Sequence, residues 1–146
     1  MLISLGDRQM EYRIKNNLAE IPLLAEAVEA FGEELGLLPK TIFQVNLALE
    51  ELLTNTINYG YSQGSEHELT VTLEINQTDV LNVEIRDDAC PFNPLEVETP
   101  DIHQEVEDRP IGGLGIHLVR QMMDEIEYRR EDDHNVLLMR KQIRLV

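Results

Sequence analysis

Cysteine is almost missing from this chain. Cys90 stands alone, so no disulfide can close within the chain and no thiolate cluster can hold a metal. Basic residues are scarce too. Lys and Arg number 12 against 28 Asp and Glu, a formal net charge of -16, which opposes direct binding to nucleic acid or to an anionic membrane. The same charge repels a polyphosphate unless a divalent cation and backbone N–H groups supply the attraction, so a nucleotide here is expected to come with Mg²⁺. No apolar run approaches the roughly 18 residues of a membrane span, and the first segment, M-L-I-S-L-G-D-R-Q-M-E-Y-R, meets charges too early for a secretory signal. The cytoplasm is the default compartment. Internal repeats and low-complexity stretches are lacking as well.

What remains is a chain of 146 residues with 42% hydrophobic content, enough for one domain, 1–146, with a sizeable core. Met10, Tyr12 and Ile14 alternate with charged neighbours and read as a strand. Asn17 with Glu20 resembles a capping box, Pro22 suits a first helical turn, and Ile21, Leu24, Val28, Phe31 and Leu35 supply a stripe ending at Gly36. This predicts a helix from about Leu18 to Leu35. After Pro39 a second helix reaches Gly60, burying Ile42, Val45, Leu49, Leu52, Leu53 and Ile57. From Leu69 the period changes to two, and Leu69–Ile75 and Leu81–Ile85 form a hairpin.

A long proline- and acid-rich connection then runs from Asp87 to Ile111, a length typical of lids and binding segments. It ends in Gly112-Gly113-Leu114-Gly115 and opens a helix with a Leu114, Leu118, Met122 stripe. Ile126–Arg130 and Val136–Arg140 read as a second hairpin around Asp133-His134-Asn135. The expected architecture is an α/β (α+β) two-layer sandwich: a mainly antiparallel mixed sheet with about three helices on one face and water on the other.

Chemistry concentrates on the second helix. At roughly 100° per residue, Glu51, Asn55 and Asn58 fall within about 60° of one another, opposite the apolar stripe. Asn and Thr are mediocre helix formers, so this face was not chosen for helix stability. A carboxylate and an amide oxygen one turn apart suit a hard cation such as Mg²⁺; an ordinary solvated face is the alternative. Asp87, at a strand end, can accept the exocyclic amine of an adenine or simply make a turn. The glycines Gly112, Gly113 and Gly115 let backbone N–H groups at a helix start meet an anion, or form a hinge.

The order of these features resembles the histidine-kinase-like ATPase superfamily, the Bergerat-fold nucleotide binders, and within it the anti-sigma-factor serine/threonine kinase branch. E-L-L-T-N-T-I-N-Y-G-Y looks like the N box, I-R-D-D-A the first glycine box and G-G-L-G-I the second, over about Phe43 to Arg140. The resemblance implies ATP and Mg²⁺ as cofactors, a lid at about 89–112, Glu51 as general base, Asn55 as Mg²⁺ ligand and Asp87 as reader of adenine. Gly112, Gly113, Leu114 and Gly115 would contact the nucleotide through the second glycine box. It implies as partners an anti-anti-sigma protein of the STAS type, phosphorylated on serine or threonine, and a sigma factor held inactive; homodimers are common in the branch. A nucleotide-gated module that sequesters a regulator without phosphoryl transfer is the alternative.

Two features depart from the pattern or lie beyond it. Ala89 stands where the first box has glycine, and Arg109 is the candidate for the γ-phosphate, against an ordinary surface ion pair. Glu50 points about 100° away from Glu51 and reads as solvated. His117 reads as a surface or capping residue, and no helical hairpin around it resembles a phosphoacceptor domain. That argues against a sensor histidine kinase, for whose neighbouring domain 146 residues leave no space.

Overall fold

The computed structural model describes residues 1–96 and 113–144. Six strands, β1 (Leu2–Leu5), β2 (Gln9–Lys15), β3 (Glu68–Ile75), β4 (Val80–Asp87), β5 (Glu125–Glu131) and β6 (His134–Gln142), form one sheet in the order β1-β2-β3-β4-β6-β5. Among the described residues every pairing is antiparallel, as the expected mainly antiparallel sheet requires. Three α-helices, α1 (Ile21–Glu34), α2 (Pro39–Tyr59) and α3 (Gly113–Met122), and two short 3-10 helices complete the described elements.

Alternation decides which side of the sheet is covered. Leu69, Val71, Leu73 and Ile75 of β3 and Leu81, Val83 and Ile85 of β4 are buried, while Thr70, Thr72, Glu84 and Arg86 face the other way. Val28 and Phe31 of α1, Val45, Leu49 and Leu53 of α2 and Val119 of α3 belong to the same core. Each such side chain contributes about 1.5–3 kcal/mol by leaving water. The helices thus lie on one face, as the hydrophobic periods require.

Local chemistry sets the ends. α1 stops because Gly36 turns left-handed at φ 79°, and the N–H groups of Leu37 and Gly36 return to the carbonyls of Gly32 (2.8 Å) and Glu33 (3.2 Å). Gly32 also lets α1 touch α2: a Cβ there would meet Ile42 Cγ1 at 2.7 Å. The start of α1 differs from expectation, because Leu18–Glu20 is a short 3-10 turn before Pro22. Glu20 accepts from the Lys15 N–H at 2.7 Å rather than closing a capping box with Asn17, whose side chain caps Ala19.

Three further expectations are corrected. β1 was not foreseen; its four residues are all exposed and show no alternation to reveal them. On α3 the buried residues include Ile116 and Val119, with Met123 just beyond the helix end, whereas Leu118 is 38% exposed. The second hairpin turns at Asp132 and Asp133, with φ of 50° and 59°, the two-residue geometry that matches strand twist. His134 and Asn135 therefore begin β6 rather than occupying the turn.

Candidate functional site

Asp87 is the last residue of β4 and pairs in register with Asn135 of β6. Both are polar and yet 5% and 7% exposed, on the face the helices cover. Asn135 Nδ2 donates to Asp87 Oδ1 at 2.9 Å, and the Ala89 N–H donates to the same oxygen at 3.1 Å. Among the described residues no donor bonds Oδ2, which leaves it as a free acceptor. Burial raises the Asp87 carboxyl above its ordinary range, opposed by these two hydrogen bonds.

Asp87 lines a cavity of about 300 Å³ together with Leu52 and Asn55 of α2, Ile85 of β4, Ala89, and Leu137 of β6, among others. Apolar walls with a few convergent polar groups are what a purine-sized ligand needs. The methyl group at Ala89 is accommodated by a missing one elsewhere: a Cβ at Gly60 would come within 2.8 Å of the Ala89 Cβ. The Cys90 N–H also donates to the Gly60 carbonyl at 3.1 Å, fastening the turn after β4 to the end of α2. Beside the turn, His67 Nδ1 lies 2.9 Å from Asp88 Oδ2 and its ring stacks on Tyr61 at 4.6 Å. Burial works to raise the Asp88 carboxyl, but the hydrogen bond and charge of His67 hold it below the ordinary range.

Four residues up α2 from Asn55, about 6 Å along the axis, Glu51 is half-buried against the first turn of α3. A Cβ on Gly115 would fall 3.0 Å from Glu51 Cδ and collide with Oε2, so only glycine leaves the carboxylate its place. Gly113 is the first residue of α3 and Leu114 the second. The positive end of that helix is therefore beside the acid, where anions bind. Arg120 of α3 donates to the carbonyls of Pro94 (3.4 Å) and Leu95, tying down the short 3-10 helix Pro94–Glu96. Glu50 is exposed, as its direction on the helix required.

The structure thus brings Asn55, Asp87 and Ala89 to one cavity and Glu51 to Gly115. Arg109, Gly112 and the lid beyond residue 96 lie outside the described residues. Two oxygen donors one turn apart, Glu51 and Asn55, suit Mg²⁺, which keeps waters and leans on phosphate rather than on a full protein cage. No group of three or more His, Cys, Asp or Glu forms such a cage among the described residues. Sequence reasoning missed Asn135; its only signal was its position opposite Asp87, which needed the register.

A buried carboxyl in an apolar cavity, with a half-buried acid and a glycine-fronted helix one helical turn from the Asn55 that lines it, fits a nucleotide-binding ATPase fold. The chain belongs to the histidine kinase-like ATPase domain family, whose pattern matches residues 14–141. Among curated relatives it is similar to the serine/threonine-protein kinase BtrW of Bordetella bronchiseptica, 26% identical over 97 residues, covering 66% of this chain and 68% of that protein. It is also similar to the serine-protein kinase RsbW of Bacillus mycoides, 22% identical over 134 residues, covering 89% and 82%. The fold recurs in the RsbU and RsbW domains of Rv1364c from Mycobacterium tuberculosis, with a TM-score of 0.63 at 11% identity over 93% of this chain and 34% of that one. The histidine kinase domain of a blue-light-activated kinase from Erythrobacter litoralis gives 0.56 at 16% identity, over 86% and 60%. Among the described residues no helix is long and apolar enough to cross a membrane.

Proposed function

We propose that the protein is an ATP- and Mg²⁺-dependent serine/threonine kinase that acts as a cytoplasmic anti-sigma factor and phosphorylates an anti-anti-sigma protein of the STAS type. The observation that carries this is that Asp87 and Asn55 line one cavity while Glu51, one helical turn from Asn55, lies against Gly115 in the first turn of α3. Asp87 Oδ2 accepts the adenine amino group, and the backbone of Gly112, Gly113, Leu114 and Gly115 faces the phosphates. Arg109 meets the γ-phosphate and residues about 89–112 close over the nucleotide; these two assignments rest on the resemblance alone. Mg²⁺, held by Asn55 and the phosphates, would neutralise charge on the transferring group.

In the transfer the serine oxygen of the partner forms a bond to the γ-phosphorus while the bond from that phosphorus to the bridging oxygen breaks and ADP leaves. Glu51 takes the hydroxyl proton. The test is transfer of labelled γ-phosphate to a serine-bearing anti-anti-sigma protein. With Glu51→Gln, transfer should fall by roughly 10²- to 10⁴-fold while ATP still raises the melting temperature. Undiminished transfer removes Glu51 from the chemistry; no ATP-dependent stabilisation of the natural sequence removes the nucleotide reading. A second reading, a nucleotide-gated module that grips a sigma factor without transfer, is favoured by Ala89 in the first glycine box. It predicts binding that responds to ATP with no label on any partner.

A further inference from the structure

We propose that Asn135 is the positioning residue that shapes the turn from Asp87 to Phe92 and aims Asp87 at the amino group of adenine. The inference rests on the nucleotide reading above and adds a residue that reading does not contain. A carboxamide has two N–H donors and an oxygen with two lone pairs, and at Asn135 all are engaged. Nδ2 donates to Asp87 Oδ1 at 2.9 Å and to the Cys90 carbonyl at 3.0 Å, with the Ala89 carbonyl at 3.4 Å. Oδ1 accepts from Tyr128 Oη at 2.6 Å and from the Phe92 N–H at 3.3 Å.

The orientation of this amide is fixed by its neighbours. Carbonyl oxygens can only accept and the Phe92 N–H can only donate, so a flipped amide would lose contacts on both sides. Asn135 has no capacity left for a ligand, although it lines the cavity, and so acts through Asp87. The turn it holds carries Ala89 in place of a glycine and gets one more tie from Arg130, whose Nη1 donates to the Ala89 carbonyl at 2.9 Å. A hub that binds the carboxylate, two carbonyls and one N–H of a six-residue stretch over-determines its shape. Both oxygens of Asp87 then have separate tasks: Oδ1 faces the protein and Oδ2 the ligand.

The experiment compares affinities of the Mg²⁺ complexes of ATP and of purine riboside triphosphate, which has hydrogen where adenine has its amino group. In the natural sequence ATP should bind more tightly. Asn135→Leu, near in volume but without polar atoms, should weaken ATP by roughly 10- to 100-fold, the size of a hydrogen bond to a charged group, and leave the analogue within about threefold, so that the preference collapses. A merely structural loss would weaken both nucleotides alike, and that outcome, or a preserved preference, overturns the proposal while the nucleotide site stands. Failure of the natural sequence to bind either compound overturns both. If Asn135→Leu does not fold, Tyr128→Phe decides: it removes only the hydroxyl that anchors Oδ1. It should erode the ATP preference by a few-fold, and an unchanged preference overturns the proposal.

Discussion

The two faces of the sheet handle polar groups in opposite ways. On the open face, Arg140 reaches Glu125 at 2.8 Å and Glu127 at 3.0 Å, and Arg129 reaches Glu131 at 2.7 Å and Glu84 at 3.7 Å. These charges pair side by side in water, where hydration already satisfies them and pairing adds little. The covered face carries Asp87 and Asn135 among Ile85, Leu137 and Met139. There each polar atom must find a partner or destabilise the fold. Many charges on one side therefore say less about function than two polar side chains on the other.

Asp87→Asn should break that contrast most sharply. It keeps an oxygen for Asn135 and Ala89 but turns a donor toward the cavity, so ATP affinity should fall by roughly 10- to 100-fold in calorimetry. The same change should raise the melting temperature of the nucleotide-free protein at pH 7. The sign follows from linkage: a carboxyl raised by burial binds its proton more tightly when folded. Its ionisation thus costs stability above the folded value, and that cost disappears as pH falls toward the unfolded value near 4. Asp87→Asn should flatten this part of the pH dependence, and a variant less stable than the natural sequence at pH 7 would contradict the assignment of burial as the cause.

Gly115→Ala comes next. A methyl group there displaces the Glu51 carboxylate, so phosphate transfer should drop by about tenfold or more, the order seen when a catalytic group is misplaced, with ATP affinity changed far less. Equal losses in both would mean that the glycine serves the nucleotide rather than the acid. Smallest of all should be Arg140→Ala. Its melting temperature should stay within about two degrees of the natural sequence and converge with it at high salt.

Much of the covered face was legible because period-two patterns are hard to mistake: Leu69 to Ile75 and Leu81 to Ile85 announce which side is buried. Asn55 drew notice because Asn is a mediocre helix former, and Glu51 because it stands one turn from Asn55 on the same face. Asn135 was hidden by its neighbours, since Asp132, Asp133 and His134 beside it carry the composition of a turn. Only the pairing of β4 with β6 shows that it leaves the turn and goes inside. On α3 the spacing suits Leu118 and also Ile116 with Val119; the fold buries the second pair and leaves Leu118 exposed. β1 has apolar residues but no alternation, so nothing in its pattern marks it as a strand.

Helix α2 carries Glu51 near its middle and, nine residues on, meets the Cys90 N–H through the Gly60 carbonyl at its end. A rigid rod with a rise of 1.5 Å per residue thus spans about 13 Å between the acid and the Gly60 tie, with Leu52, Asn55 and Thr56 lining the cavity along the way. Neither end can be retuned in isolation, because a tilt that loosens the Gly60 tie swings Glu51 against Gly115.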